Sequence, residues 1–98
     1  NQRSDQLPDV PTFGEAGGPP LEATAWQGVV APPRTPKAVV DKLSQAIVAA
    51  LQSPDVIKQL KLQGMEPMGS TPDAFFDYAH REYTNWGVVI RQKNISVD

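Results

Sequence analysis

An α/β architecture is what the sequence predicts, with one buried strand ahead of three helices. Residues 23–31 (ATAWQGVVA) are rich in aromatic and β-branched side chains and lie between two proline pairs, which predicts a strand. Three hydroxyl–proline pairs, Thr35-Pro36, Ser53-Pro54 and Thr71-Pro72, each announce a helix. In each, the hydroxyl is placed to cap an orphan backbone N–H, and proline at the first helical position has no N–H to leave unpaired. Behind each pair, apolar residues recur at three- and four-residue steps.

Taken in order, residues 7–21 read as irregular chain holding one short helical turn. Pro11 suits the first position of that turn, Glu15 lies inside it, placed to cap local backbone or else to serve a ligand or catalytic role, and Gly17-Gly18 stop it. The apolar residues of 23–31 do not alternate, so the strand is expected to be covered on both faces. Pro32-Pro33 ends it. The first helix is expected over 36–52, with Val39, Val40, Leu43, Ala46, Ile47, Ala50 and Leu51 on one stripe. The second runs over 54–63, with Gly64 just past its end. Residues 65–68 form an extended piece that Pro67 confines to an edge strand or a loop. The third helix, 72–93, is the longest, and Phe75, Phe76, Ala79, Tyr83, Trp86, Val89 and Ile90 make one broad face of it. Gly87 costs about 1 kcal/mol against alanine inside a helix, which points to a close packing contact there. Residues 94–98 are expected to close the chain as a short strand.

Composition excludes several function classes. The 98 residues fit one small domain. Nine Lys+Arg face eleven Asp+Glu, and the basic residues are scattered, so nucleic acid is not an expected partner. Without cysteine there are no disulfides and no thiolate zinc sites. No apolar run approaches the roughly 20 residues that span a bilayer, and no export signal opens the chain. The polar start at Asn1, with no initiator methionine, leads us to expect a segment of a longer polypeptide.

Catalytic chemistry finds no constellation. The one histidine, His80, sits at the edge of the third helix's apolar face and reads as structural. Asp73 and Asp77 read as solvated helix charges, and Gly14, Gly17 and Gly18 do not form a phosphate loop. The chain is therefore expected not to be an enzyme and to hold no cofactor or metal. Trp26 keeps two readings, core packing or the wall of a ligand cleft.

Read in order, the landmarks resemble the receptors of tripartite tricarboxylate transporters, the Bordetella uptake gene type. Residues 7–17 (LPDVPTFGEAG) are similar to that family's LPDVPT-x-x-E-A-G segment. WQGVVAP from Trp26, followed by Thr35-Pro36, is similar to its W-x-G, two hydrophobics, A-P-x-x-T-P. QGMEP from Gln63, Thr71-Pro72 and the closing aromatic helix with Trp86 complete the order. Family members are about three times longer, and the stretch around Gly14 and Gly17–Pro20 departs from the commoner pattern. The resemblance implies the C-terminal part of a two-lobed, type II-like periplasmic binding protein, with a signal peptide upstream. Residues 1–22 would be a crossover and hinge segment from the second lobe, and 23–98 the strand-plus-helices portion of the first. The receptor would capture a small carboxylate or related polar metabolite and deliver it to membrane transporter subunits. Thr24, Ala25 and Trp26 would line one wall of the cleft, and Gly17, Gly18 and Glu22 would serve as hinge. The alternative function is a stand-alone helical protein-interaction module. In isolation the segment is expected to self-associate through an unsatisfied sheet edge.

Overall fold

The structure, a computed structural model, describes residues 2–97. Its regular elements are three α-helices, α1 (Lys37–Leu51), α2 (Pro54–Leu62) and α3 (Pro72–Gln92), each within one residue of its expected ends. The chain divides into two compact units, Asn1–Ala31 and Pro32–Asp98. All three helices belong to the second.

The expected α/β class is corrected: none of the described residues forms a strand. A strand is held by exchanging N–H and C=O groups with a neighbouring strand, and composition alone cannot supply that neighbour. Residues 23–31 have no such ladder. They are also open to water, with Trp26 41 %, Val29 71 % and Val30 82 % exposed, so the expected double-sided burial is absent. The crossover strand, the edge strands and the sheet edge expected to drive self-association therefore have no counterpart here. Residues 65–68 are loop. Of the strand expected over 94–98, Asp98 lies outside the described residues, and Asn94 and Ile95 instead close α3.

Helix starts follow the sequence only in part. Thr71 caps α3 as expected, its Oγ1 accepting from the Ala74 N–H at 3.2 Å. Ser53 occupies the cap position of α2 but makes no side-chain cap hydrogen bond. Thr35 does not cap at all. Its hydroxyl donates backward to the Pro32 carbonyl at 2.7 Å, in a turn where Arg34 is left-handed, and α1 starts from Pro36. Asp55 and Asp73 stand in the first turns of α2 and α3, where the helix dipole favours a negative charge. Lys37 occupies that place in α1, and its ammonium is held by Asp41 one turn on, at 2.6 Å.

Helix ends are more uniform. Gly64, at φ +76°, closes α2: its N–H donates to the Lys61 carbonyl while Met65 N–H reaches Leu60. Asn94, at φ +51°, closes α3 in the same way, with Asn94 N–H to Arg91 and Ile95 N–H to Ile90. Both are Schellman closures, which satisfy otherwise orphaned carbonyls through a left-handed residue.

Packing in the helical unit runs through α1, which both α2 and α3 contact, while those two do not contact each other. The loop between them also crosses α1, since a methyl group at Gly69 would meet Val48 at 3.2 Å. Half-buried apolar positions on α1 are Val40, Ile47, Val48 and Leu51, whereas Val39 and Leu43 are exposed. On α3, Pro72, Phe75, Tyr78, Ala79 and Glu82 are half-buried, and C-terminal to Glu82 only Gly87 is. No described residue in either unit is fully buried. The close contact expected at Gly87 is not made within the chain, since an added Cβ would meet only the tip of Arg91.

Thr71→Ala should destabilise the helical unit by about 1 kcal/mol, the usual cost of losing a cap. Ser53→Ala should cost distinctly less, because no cap bond is lost. Urea unfolding followed by far-ultraviolet circular dichroism would compare the two, and equal losses would contradict the assignment.

Candidate functional site

The first unit is organised by one turn of helix sealed at both ends. Thr12 and Glu15 form a reciprocal capping box: Thr12 Oγ1 accepts from the Glu15 N–H at 3.2 Å, and a Glu15 carboxylate oxygen accepts from the Thr12 N–H at 2.8 Å. Thr12 is thus the cap and Phe13 the first helical position, two residues later than the Pro11 start expected from the sequence. At the far end Gly17, at φ +85°, donates to the Gly14 carbonyl and Gly18 to that of Phe13. The Phe13 ring lies over Gly18 so closely that any Cβ there would overlap it.

Glu15 therefore caps local backbone, as its position predicts, and it also anchors the N-terminal stretch. The same carboxylate oxygen accepts from Arg3 Nε at 2.8 Å, while Arg3 donates to the Pro8 carbonyl at 3.0 Å. The Arg3 guanidinium first, and the Thr12 N–H second, hold the Glu15 carboxyl below the ordinary glutamate value.

The residues singled out in the sequence all fall in this first unit. Gly17 and Gly18 close the turn. Glu22, Thr24, Ala25 and Trp26 follow in irregular, exposed chain. Thr24, Ala25 and Trp26 are consecutive, so a hydroxyl, a small methyl and an indole are presented along one short open stretch.

In the helical unit, a partly open groove of about 370 Å³ is lined by Val48, Leu51, Gln52, Ile57, Pro67 and Gly69. It was not anticipated, because it depends on the 65–69 loop folding onto α1. Its one polar side chain is the Gln52 amide, so it offers no charge to an anionic ligand. His80 lies exposed on α3, its ring parallel to that of Phe76 with centroids 6.4 Å apart. Among the described residues no three His, Cys, Asp or Glu side chains gather as a metal site, and no helix is long and apolar enough to cross a membrane.

Comparison with known proteins gives a consistent answer. The family model described as tripartite tricarboxylate transporter family receptor matches residues 1–95. The UPF0065 protein in the tcbD-tcbE intergenic region of Pseudomonas sp. strain P51 is 37 % identical over 97 residues, covering 98 % of this chain and 29 % of that protein. Protein BugT of Bordetella pertussis is 35 % identical over 92 residues, covering 94 % and 28 %. A UPF0065 protein in the TAR-I ttuE-ttuC' intergenic region of Agrobacterium vitis is 41 % identical over 75 residues, covering 74 % and 22 %. The chain thus spans less than a third of the length of these relatives. No solved structure matches it significantly.

A group whose folded pKa is depressed stabilises fully above its unfolded pKa and loses that contribution as pH falls through the folded one. The 12–18 turn should accordingly loosen on acidification below the ordinary glutamate range. Arg3→Ala should raise the Glu15 midpoint toward that range, read from the carboxyl carbon shift in an NMR titration. An unmoved midpoint would show that Arg3 does not hold the carboxylate in solution.

Proposed function

We propose a role in solute capture outside the cytoplasm for this chain, which belongs to the tripartite tricarboxylate transporter receptor family. It supplies the C-terminal portion of a periplasmic receptor that closes on a small carboxylate or related polar metabolite and passes it to membrane transporter subunits. The family match over residues 1–95 carries this reading. The span, under a third of the relatives' length, fits a chain that contributes one wall of a cleft.

Thr24, Ala25 and Trp26 are the residues we assign to that wall. Threonine brings a hydroxyl donor, alanine room for close approach, and tryptophan a flat apolar surface. Arg3, a cation of the same unit, is already engaged by Glu15. The wall therefore meets a carboxylate with neutral donors, a common arrangement where a few polar groups set orientation in an otherwise apolar site. Gly17, Gly18 and Glu22 are the hinge in this reading, absorbing the dihedral change of closure. A helical interaction module, the alternative, draws its support from the exposed face of α3.

Thermal-shift measurements on a receptor of family length carrying this segment should find one acid that raises the melting temperature, in a panel of di- and tricarboxylates, amino acids and nicotinate-like acids. A ligand at 100 times its Kd stabilises by about 2.7 kcal/mol. Trp26→Ala in that receptor should remove most of the shift. No shift across the panel would overturn the receptor reading, and an undiminished shift in the variant would overturn the assignment of the wall.

A further inference from the structure

Of the described residues in the first unit, only Thr12 and Gly18 are half-buried; every other one is exposed. Thr12 opens the capping box, and Gly18 lies under the Phe13 ring. A Cβ built on Gly18 would meet Cζ of that ring at 2.8 Å, and Cδ1 and Cε1 closer still, where real Cβ atoms essentially never stand. The two adjacent glycines are therefore required for different reasons. Gly17 is held at φ +85°, a backbone conformation that side chains rarely adopt. Gly18 lies outside that region, so its backbone admits alanine and only the ring excludes it. Phe13 also grips Gly18 through the main chain. The Gly18 N–H donates to the Phe13 carbonyl at 2.9 Å, beside the Gly17 N–H donating to Gly14 at 3.0 Å.

Backbone freedom in this part of the chain is concentrated in those two glycines, because Pro19 and Pro20 behind them have φ fixed by their own rings. We propose that the Phe13 side chain is a latch on the Gly17-Gly18 hinge. Seated on Gly18, the ring holds both glycines in the conformation described; swung away, it releases them to change dihedral angle. The ring is free to swing, being 54 % exposed and turning about two single bonds. An exposed side chain changes rotamer in picoseconds to nanoseconds, far faster than a hinge bends. The latch thus sets how often the hinge is free, not how fast it moves. That the glycines serve as a hinge rests on the receptor reading, whereas the latch is a property of residues 12–18 by themselves.

Solvent exchange of backbone amides, read by NMR on the 98-residue chain without ligand, tests the latch. Phe13→Ala should speed exchange at Gly17 and Gly18 about threefold or more, as their bonds to Gly14 and residue 13 open more often. The Thr12 amide, held by Glu15 at the other end of the turn, should keep its rate. Alanine favours a helical turn over phenylalanine, so propensity works against this outcome. Phe13→Tyr retains the ring and should retain the parent rates. Gly18→Ala unseats the ring from the other side and should match Phe13→Ala at Gly17, whose intrinsic rate neither change alters. Combining the two should add little, because both remove one contact. Unchanged glycine rates in Phe13→Ala, equal loosening of Thr12, a tyrosine variant as loose as alanine, or single effects that add in full would each overturn the latch. Failure of every acid in the thermal-shift panel would overturn the receptor reading and leave these rates untouched, so the two failures are told apart.

Discussion

α1 is the one surface on which the helical unit is assembled. α2, α3 and the loop between them all lean on it, and the two outer helices have no contact with each other. The arrangement is therefore a hub with attachments rather than a closed bundle. A closed bundle buries each apolar stripe between two neighbours. Here each outer helix has one neighbour, so part of its apolar face stays in water, and no described residue reaches full burial.

The closures at the element ends explain why the elements are well defined without a core. A helix leaves four N–H and four C=O groups unpaired at its ends, and each orphan left dry is a loss. The chain meets that need with local chemistry at three places: the single turn at 12–18, the end of α2 and the end of α3. Each uses one left-handed residue, Gly17, Gly64 or Asn94, and two backbone bonds. The first adds a capping box at its front and an ion pair that ties it to Arg3, twelve positions away.

The same distinction separates what could be read from the sequence and what could not. Helix extents and the Gly64 closure were legible because they depend on residues within five positions of one another. The strand at 23–31 was not, because its existence rests on a neighbouring strand that composition does not reveal. Of three hydroxyls placed to cap helices, one does so. The difference lies in backbone geometry just upstream, such as the left-handed Arg34 that turns Thr35 back toward Pro32. At the candidate site, Glu15 was legible as a local cap, but its bond to Arg3 was not signalled. The assignment of Thr24 and Ala25 came from family resemblance alone, while Trp26 already carried two readings, core packing or cleft wall, and no periodicity in the sequence marks the three. The apolar stripes were legible as spacing, but their coverage depends on what stands opposite: Val39 and Leu43 on the α1 stripe are exposed, and half-buried Val48 was not placed on it.

The prolines on either side of residues 23–31 acquire a second meaning once that stretch is seen open to water. From Ala23 to Ala31 there is no charge, and the β-branched and aromatic content is that of segments which stack into fibrils. Glu22 with Pro19-Pro20 before it, and Pro32-Pro33 with Arg34 after it, are the residue types that interrupt such stacking. Proline has no N–H to extend a ladder, so any intermolecular pairing seeded on these nine residues terminates at its own borders. The punctuation that looks like a frame for a strand also acts as a fence around a sticky one.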